Sequence, residues 1–308
     1  MAAGIPVIVN AKSGPNGTAE SVDDAITAAF DAHDLQTNVI RLQPGQDIAK
    51  TVDRLIADGA SLVVAGGGDG TINAVAAKLL DSETTLGVLP LGTLNHFARD
   101  LGIPFELADA VQIIASGHSI LVDTGEVNGQ VFLNNSSMGL YPRIVSDRQR
   151  AQKHLGLGKW PALVRATARA LRDPAFFNAV VCVDGSELAR RTPFIFVGNN
   201  SYVLEGFGIG KRTCLDGGAL SLYVLRPKNG FGLLWLGIRS LFGIGSHAQD
   251  FDAFEASDFR VEAQGKRIDV ATDGEVKNME PPVRYRIRPK ALRVMAPRGG
   301  NVAAGKNG

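Results

Sequence analysis

The chain has 308 residues, of which 45% are hydrophobic, so it can form the cores of about two domains of ordinary size. Its 32 basic and 31 acidic side chains give a net charge of +1, and no whole-chain charge points to a nucleic acid as a partner. Cys182 and Cys214 are the only cysteines, and the first ten residues carry no basic leader, so a cytoplasmic protein without a disulfide framework is expected.

The first 123 residues alternate between strand patterns and helix patterns. Hydrophobic periodicity and turn residues predict strands at 5–9, 37–42, 62–65, 85–89 and 119–123, and helices at 19–32, 48–57, 71–80 and 105–115. Such an alternation is typical of an open parallel α/β sheet, which binds ligands at the carboxyl ends of its strands. Polar or glycine-rich loops follow three of these strands, at residues 10–14, 66–71 and 92–95, so we expect them to meet at one edge of the sheet.

The most informative segment is residues 62–73, LVVAGGGDGTIN. Its four glycines, Gly66, Gly67, Gly68 and Gly70, allow positive φ angles and remove the Cβ atoms that would keep a phosphate away from the backbone amides. Thr71 is expected to cap the following helix, whose N-terminus favours an anion. Asp69 would repel a bare phosphate, which implies a divalent cation, a hydroxyl or an amide as its partner. The alternative is a strand-to-helix turn that binds nothing.

Two common phosphate loops can be tested directly against this segment. A Walker loop requires a lysine after the last glycine, and none is present. The dinucleotide fingerprint requires a third glycine where this chain has Thr71, which disfavours an oxidoreductase.

After Asp123 the pattern changes to short strands separated by Gly, Asn and Pro turns. Strands are predicted at 131–133, 179–183, 194–197, 220–225, 259–262, 267–270 and 284–288, which together indicate an antiparallel β-sandwich. Between them, residues 143–172 carry eight basic side chains against the single acid Asp147. A helix is expected at 160–171, with Arg165, Arg169 and Arg172 on one side and Leu163, Val164 and Leu171 apolar. That basic side could contact an anionic membrane or simply face water.

Five short motifs, in this order and spacing, make the chain resemble the diacylglycerol kinase catalytic-domain family, which includes bacterial soluble lipid kinases and sphingosine and ceramide kinases. The motifs are NAKSG at 10–14, GGGDGT at 66–71, PLGTLNHFAR at 90–99, VDTGEVNGQVFLN at 122–134 and ATDGEV at 271–276. The resemblance implies an α/β class protein with a parallel nucleotide-binding domain at residues 1–123 and an antiparallel β-sandwich lipid-substrate domain at residues 124–288. The last strand, about 289–297, is expected to return to the first domain.

The same resemblance assigns the binding of ATP and Mg²⁺ to a set of residues at the strand ends: Asn10, Gly66, Gly67, Gly68, Asp69, Gly70, Thr71, Thr93 and Asn95. Arg99 and Asp123 match supporting members of an aspartate–water–metal network, in which this chain has His96 where many members have aspartate. A structural-metal loop of the family matches the region of Asp216, but one of its two acids is replaced by Gly217. Asp69 and Asp216 are therefore the predicted metal ligands.

The late motif contains two carboxylates, Asp273 and Glu275, around one glycine. In an extended segment both would point the same way, so that one could accept the proton of an acceptor hydroxyl while the other binds metal or a basic residue. We expect Glu275 to be the base and Asp273 its partner, although Asp-Gly is also a strong hairpin-turn signal.

The sequence thus predicts an ATP-dependent kinase that transfers the γ-phosphoryl group to a hydroxyl of a lipid alcohol such as diacylglycerol. Its expected partners are the lipid and, peripherally, the anionic cytoplasmic membrane, but no nucleic acid, and a homodimer is left open. The alternatives are a small-molecule or sphingoid-base kinase of the same superfamily and a non-catalytic nucleotide-binding regulator. The apolar stretch at 231–245 is interpreted as a helix packed on the sandwich rather than a membrane anchor.

Overall fold

The computed structural model describes residues 4–10, 19–43, 45–155, 158–172, 176–183, 185–205, 208–226 and 250–299. The chain divides into two compact units. Unit 1 comprises Met1–Thr124, Cys214–Asp216 and Pro289–Gly308, and unit 2 comprises Gly125–Thr213 and Gly217–Arg288. The functional roles assigned above to the two domains, with boundaries at 123 and 288, stay predictions.

Unit 1 is built from a parallel sheet and helices that follow its strands. Its elements in chain order are β1 Ile5–Asn10, α1 Ala19–Asp31, β2 Thr37–Leu42, α2 Ile48–Ala57, β3 Leu62–Gly67, α3 Asp69–Leu79, β4 Thr85–Pro90, α4 His96–Asp100, α5 Leu107–Ala115 and the first part of β5 Ser119–Val127. The strand order is β2-β1-β3-β4, and the chain's last strand, β18 Val283–Met295, continues it by pairing Val294 with Leu86 in parallel. Fully buried aliphatic side chains such as Ile8, Val64 and Leu86 form the core on which the sheet depends.

The described residues of unit 2 form two large antiparallel sheets, a two-stranded sheet of β11 and β12, and two helices. Its elements are β6 Gln130–Phe132, β7 Asn135–Gly139, α6 Leu140–Leu155, α7 Lys159–Arg172, β8 Phe177–Val183, β9 Ser186–Thr192, β10 Phe194–Asn199, β11 Tyr202–Glu205, β12 Gly208–Arg212, β13 Leu220–Leu225, β14 Phe251–Ala256, β15 Asp258–Ala263, β16 Ile268–Thr272 and β17 Glu275–Met279. One sheet has the order β14-β13-β10-β7-β16-β17, and the other places β15, β8 and β9 beside the first half of β18.

The inner faces of these two sheets share one hydrophobic core. Met138, Val197 and Leu222 come from the first sheet, and Val181 and Tyr285 come from the second. The buried Tyr285 hydroxyl lies 3.0 Å from the Ser136 hydroxyl, and burial raises the pKa of Tyr285 well above its usual value, so the phenol stays neutral. The expectation of an α/β class protein with an antiparallel sandwich as its second domain is confirmed.

The strands that the sequence did not predict are mostly polar. Strand β9 (SELARRT) pairs along its whole length with β8 and lies at an edge of its sheet, where its residues are exposed or partly covered except for the buried Thr192. Because one side of an edge strand needs no apolar partner, its alternation of apolar and polar residues is weak. The β-propensity of the sequence alone therefore does not predict such a strand. Its pairing with β8 determines that it forms.

Helix α7 confirms the predicted helix at 160–171. The small residues Ala162 and Ala166, one turn apart, are buried, whereas Val164 is 67% exposed beside the exposed Arg165 and Arg169. No helix of the described residues is both long enough and apolar enough to cross a bilayer. The predicted helix at 231–245 lies outside the described residues.

Candidate functional site

Three strand ends of unit 1 meet at one edge of the sheet. In the parallel ladder β1–β3–β4, Val9 is paired with Gly66 and Gly67 with Pro90, so the residues that follow these strands are neighbours. Asn10, the last residue of β1, donates a hydrogen bond from its side-chain amide to the Thr71 hydroxyl, 3.3 Å away. The expected meeting of the polar loops is thus seen for Asn10 and for the loops after β3 and β4, while residues 11–14 lie outside the described residues.

The glycines at this edge are required for close contact, not for positive φ. None of Gly66, Gly67, Gly68 and Gly70 has a positive φ, so the freedom that glycine allows there is not used. A Cβ on Gly67 would lie 2.7 Å from the Thr71 Cβ, and a Cβ on Gly92 would overlap the Gly68 Cα. The loops after β3 and β4 therefore touch backbone to backbone, and side chains are excluded from the contact.

Helix α3 begins two residues earlier than predicted. Gly68 is its N-cap and Asp69 is its first residue, whereas Thr71 is buried within the first turn and does not cap the helix. Gly70, the second residue, is exposed. The Asp69 carboxylate accepts a weak hydrogen bond from the Phe97 amide at 3.4 Å and remains half-exposed. An acid in the first turn suits the helix dipole and leaves carboxylate oxygen available to a cation or hydroxyl.

Asn95 organises the loop after β4. It is 3% exposed and adopts a left-handed conformation with φ 49°. Its side-chain amide donates both hydrogens within the loop, to the Pro90 carbonyl at 3.1 Å and the Gly92 carbonyl at 2.9 Å, and its oxygen accepts from the Gly92 amide at 3.0 Å. Asn95 thus holds Gly92 against Gly68, and the exposed Thr93 is the polar side chain that this loop presents outward.

The supporting residues of unit 1 occupy different environments. Arg99 is exposed, donates to the Leu94 carbonyl at 3.3 Å and lies 5.7 Å above the Phe105 ring, while the neighbouring His96 is exposed as well. Asp123 is 1% exposed, and its carboxylate accepts from the Lys290 amide at 2.7 Å. This contact ties β5 to the chain's last strand, which is a structural role within unit 1.

The metal predicted at Asp216 is not supported by an acidic cluster among the described residues. Asp216 is exposed, and its neighbour Leu215 accepts the Asp123 amide hydrogen at 2.7 Å. In the described ranges there is no cluster of three or more His, Cys, Asp or Glu side chains that could hold a metal ion.

In unit 2, the acidic motif forms the tip of a hairpin. Thr272 and Glu275 are directly paired across β16 and β17, and Asp273 and Gly274 form the two-residue turn between them with φ 46° and 86°. The assumption that this segment is extended, with both carboxylates pointing the same way, is therefore wrong. Asp-Gly acts as the hairpin signal that the sequence also contained.

The Asp273 carboxylate is fully engaged by backbone donors. One oxygen accepts from the Leu133 amide at 2.7 Å, and the other accepts from the Asn134 and Asn135 amides at 2.9 and 3.0 Å. Burial raises the pKa of Asp273, although these three donors and the Arg212 guanidinium act in the opposite direction. Glu275, by contrast, is exposed at the start of β17. The two carboxylates thus have different tasks.

Sequence reasoning missed the loop that Asp273 holds. The Leu133 carbonyl accepts from the Asn199 side chain at 2.8 Å and from the buried Arg212 guanidinium at 2.7 Å, and the Tyr202 hydroxyl donates to the Asn134 carbonyl at 3.0 Å. Residues from three distant segments therefore fix residues 133–135. The run FLNN was a visible signal for this turn, but nothing in the sequence marked Arg212.

These observations define a protein in which two loops touch at glycine residues at the edge of a parallel sheet. An acidic hairpin lies on its β-sandwich. Residues 5–127 match the family model described as the diacylglycerol kinase catalytic domain, and residues 149–296 match the YegS C-terminal NAD kinase beta sandwich-like domain. The chain belongs to the diacylglycerol kinase catalytic-domain family.

Individual relatives agree with this placement. A Pseudomonas aeruginosa protein described as "Probable lipid kinase YegS-like" is 31% identical over 261 residues, which cover 82% of each chain. An Escherichia fergusonii protein described as "Probable lipid kinase YegS" is 37% identical over 146 residues, 46% of this chain and 48% of that protein, so this match spans about half of the relative.

Solved structures share the fold at lower identity. A structure described as a diacylglycerol kinase from Bacillus anthracis str. Sterne has a TM-score of 0.72 at 22% identity and covers 96% of this chain and 98% of its own. A second structure from the same strain has a TM-score of 0.77 at 24% identity, with the same coverage.

The two carboxylates of the hairpin should differ in their effect on stability. We expect Asp273→Ala to lower the free energy of unfolding by about 2–4 kcal/mol, because a buried donor left without its acceptor costs ~1–3 kcal/mol and three amides lose theirs. Glu275→Ala, two residues away and exposed, should change it by less than ~0.5 kcal/mol. Urea unfolding of both variants measures the difference, and equal values would contradict the structural role of Asp273.

Proposed function

We propose that this protein is an ATP-dependent lipid kinase that transfers the γ-phosphoryl group of ATP to a hydroxyl of a lipid such as diacylglycerol. The observation that carries the proposal is the backbone contact of Gly68 with Gly92 at the N-terminus of α3, because it leaves a side-chain-free surface beside helix amides. Membership of the family whose relatives are described as probable lipid kinases supports the same reaction.

The residues at the sheet edge fit a nucleotide phosphate chain. Unpaired amides of the first turn of α3 can donate to phosphate oxygens, and the Thr93 hydroxyl is exposed at the adjacent loop. Asn10 and Thr71, hydrogen-bonded to each other, fix the end of β1 against α3. In this proposal Asn95 acts indirectly, since its amide donors are used to hold the loop.

A carboxylate among these donors fits a phosphate-bound Mg²⁺. Asp69 is half-exposed and has only one weak hydrogen bond in the described residues, so its oxygens suit a hard cation. Mg²⁺, when bound, would neutralise charge on the phosphates during transfer. Asp216 has no such surroundings, and we assign it no part in the reaction.

Glu275 is the better candidate for the base. A base must reach the acceptor hydroxyl and take its proton as the phosphoryl group arrives, which requires an accessible carboxylate. Glu275 is exposed, whereas both oxygens of Asp273 accept backbone hydrogen bonds. Asp273 then positions the hairpin from which Glu275 projects.

The kinase proposal is tested by incubating the purified protein with γ-labelled ATP, Mg²⁺ and separate vesicles of diacylglycerol, ceramide and a sphingoid base. We expect a labelled phospholipid from diacylglycerol, and we expect Asp69→Ala to abolish it while the circular dichroism spectrum is unchanged. If only ceramide or the sphingoid base were labelled, that lipid would replace diacylglycerol as the proposed substrate. Normal activity of the Asp69→Ala variant would show that the nucleotide loop is assigned wrongly.

The roles of the two acids are separated by kinetics. Glu275→Gln preserves size but removes the proton acceptor, so kcat should fall by about 10²–10⁴-fold with ATP affinity preserved, as is typical of a lost general base. Asp273→Asn should lower kcat less and should reduce stability, because its amide cannot accept all three backbone hydrogens. A larger kcat loss for Asp273→Asn at unchanged stability would reverse the assignment.

Helix α7 provides the basis for a membrane contact. Arg165, Arg169 and the 67% exposed Val164 are accessible on α7, whereas Ala162 and Ala166 are buried, and exposed cations together with an exposed apolar side chain are features of an interfacial helix. We therefore propose that α7 contacts anionic lipid, each cation near the surface contributing about 1 kcal/mol. Arg172, the third arginine of the predicted set, is at the end of α7.

This contact predicts a salt-dependent loss of vesicle binding. Arg165→Gln combined with Arg169→Gln should weaken flotation with phosphatidylglycerol vesicles, and binding of the unmodified protein should weaken as salt rises because exposed charges are screened over about 10 Å at 0.1 M. The matched control is Lys266→Gln with Arg267→Gln, two exposed cations at a sandwich turn. If both double variants bound the vesicles equally well, the arginines of α7 would simply face water and would not contact the membrane.

A further inference from the structure

A cavity of unit 2 lies on the outer face of the sheet that contains β8, β15 and β18. Its volume is about 760 Å³, which is within the range of sites for small molecules. Its walls include the hairpin residues Asn128 and Gly129 and the turn residue Gly185, and Arg260, Arg284 and Cys182 line it as well. None of its lining residues belongs to the acidic hairpin. We call it the outer-face cavity.

Two arginines face each other directly in this cavity. Arg260 of β15 and Arg284 of β18 are paired residues of an antiparallel ladder. Their neighbours Phe259 and Tyr285 are buried in the core, so the alternation of a strand directs both arginines outward. Like charges directly opposite each other are unfavourable in a sheet, and a bound anion between them would remove the repulsion.

Nearby carboxylates leave this pair incompletely neutralised. Glu126 already accepts hydrogen bonds from two guanidinium nitrogens of Arg286, Nε and Nη2, each at 2.9 Å, and from Arg288 at 3.4 Å. Glu262 lies 3.3 Å from Arg260, but both side chains are about half exposed, so this pair contributes little. Asp258 stands opposite Arg286, and Glu187 is 3.9 Å from the Cys182 sulfur. Within the described ranges, the Arg284 guanidinium has no ion pair.

We propose that the outer-face cavity binds a phosphate group, with Arg260 and Arg284 as its two guanidinium ligands. A phosphate dianion matches two arginine forks in charge and in bidentate geometry. A Cβ on Gly129 or Gly185 would find no atom within 4 Å, so the walls leave room for the remainder of the ligand. The phosphate could belong to a soluble phosphomonoester or to a phospholipid headgroup, which share this chemistry.

Cys182 provides a local reporter of occupancy. It is paired with Arg260 across β8 and β15, lines the cavity and is half-buried, whereas Cys214 is buried elsewhere in the chain. A phosphate held by Arg260 should therefore shield the Cys182 thiol. Neither Arg260 nor Arg284 is among the residues proposed to bind the nucleotide, so an Arg284→Gln variant separates this site from the proposed kinase site.

The test measures the rate of Cys182 labelling by N-ethylmaleimide, a neutral reagent, with mass spectrometry of the intact full-length protein. Inorganic phosphate is compared with chloride at equal ionic strength. We expect phosphate to slow labelling in a saturable way, and we expect Arg284→Gln to raise the required phosphate concentration about tenfold, because one charge-assisted bidentate contact is lost. Arg267→Gln, an exposed arginine outside the cavity, should behave like the unmodified protein.

Equal protection in the unmodified protein and in Arg284→Gln, or no protection by phosphate in either, would overturn the proposal. Two further arms identify the source of the phosphate. Where inorganic phosphate protects, additional protection by glycerol 3-phosphate in solution indicates a soluble phosphomonoester, and protection by phosphatidate vesicles but not by glycerol 3-phosphate, with phosphatidylcholine vesicles as control, indicates a lipid headgroup. Both results support binding at Arg260 and Arg284.

Discussion

The backbones of Gly68 and Gly92 touch at the carboxyl edge of the parallel sheet, and the geometry of the loops after β3 and β4 depends on this contact. A single methyl group at Gly92 would overlap the Gly68 backbone, so any larger residue would separate the loops after β3 and β4. Asn95 maintains the contact from one side by bonding Pro90 and Gly92, and Asn10 fixes Thr71 on the other. The surface that remains consists of backbone amides and one carboxylate, Asp69, which is the chemistry needed for a phosphate chain with its cation.

The acidic hairpin illustrates how two similar side chains acquire different roles. Both are carboxylates separated by one glycine, but the Asp-Gly turn places Asp273 under the loop 133–135 and leaves Glu275 outside it. An acid that accepts three amide hydrogens stabilises a loop, and an exposed acid can exchange protons with a substrate. Interpreting the pair as an extended segment would have missed this division.

Unit 2 also distributes its positive charge unevenly. On α7 the arginines lie beside an exposed valine, which suits a lipid surface, whereas on β15 and β18 two arginines are paired over a cavity, which suits a single anion. A net charge of +1 for the whole chain conceals both features, because acids such as Glu126 neutralise other arginines nearby. Local pairing, not total charge, decides where an anion can bind.

Sequence alone determined the class of the fold and the position of the glycine-rich loop after β3, because strand–helix periodicity and a run of glycines are local properties of the chain. It also marked Asp69, Asp273 and Glu275 as the acids of interest. Only the tertiary structure decided that the glycines serve close contact instead of positive φ, that α3 starts at Asp69, and that Asp273 binds the amides of residues 133–135. These features depend on segments far apart in sequence: Gly92 is 24 residues from Gly68, and Asn134 lies 139 residues from Asp273. Contacts of that kind leave no periodic signal, since the partner of each residue is selected by packing and hydrogen bonding in the folded chain.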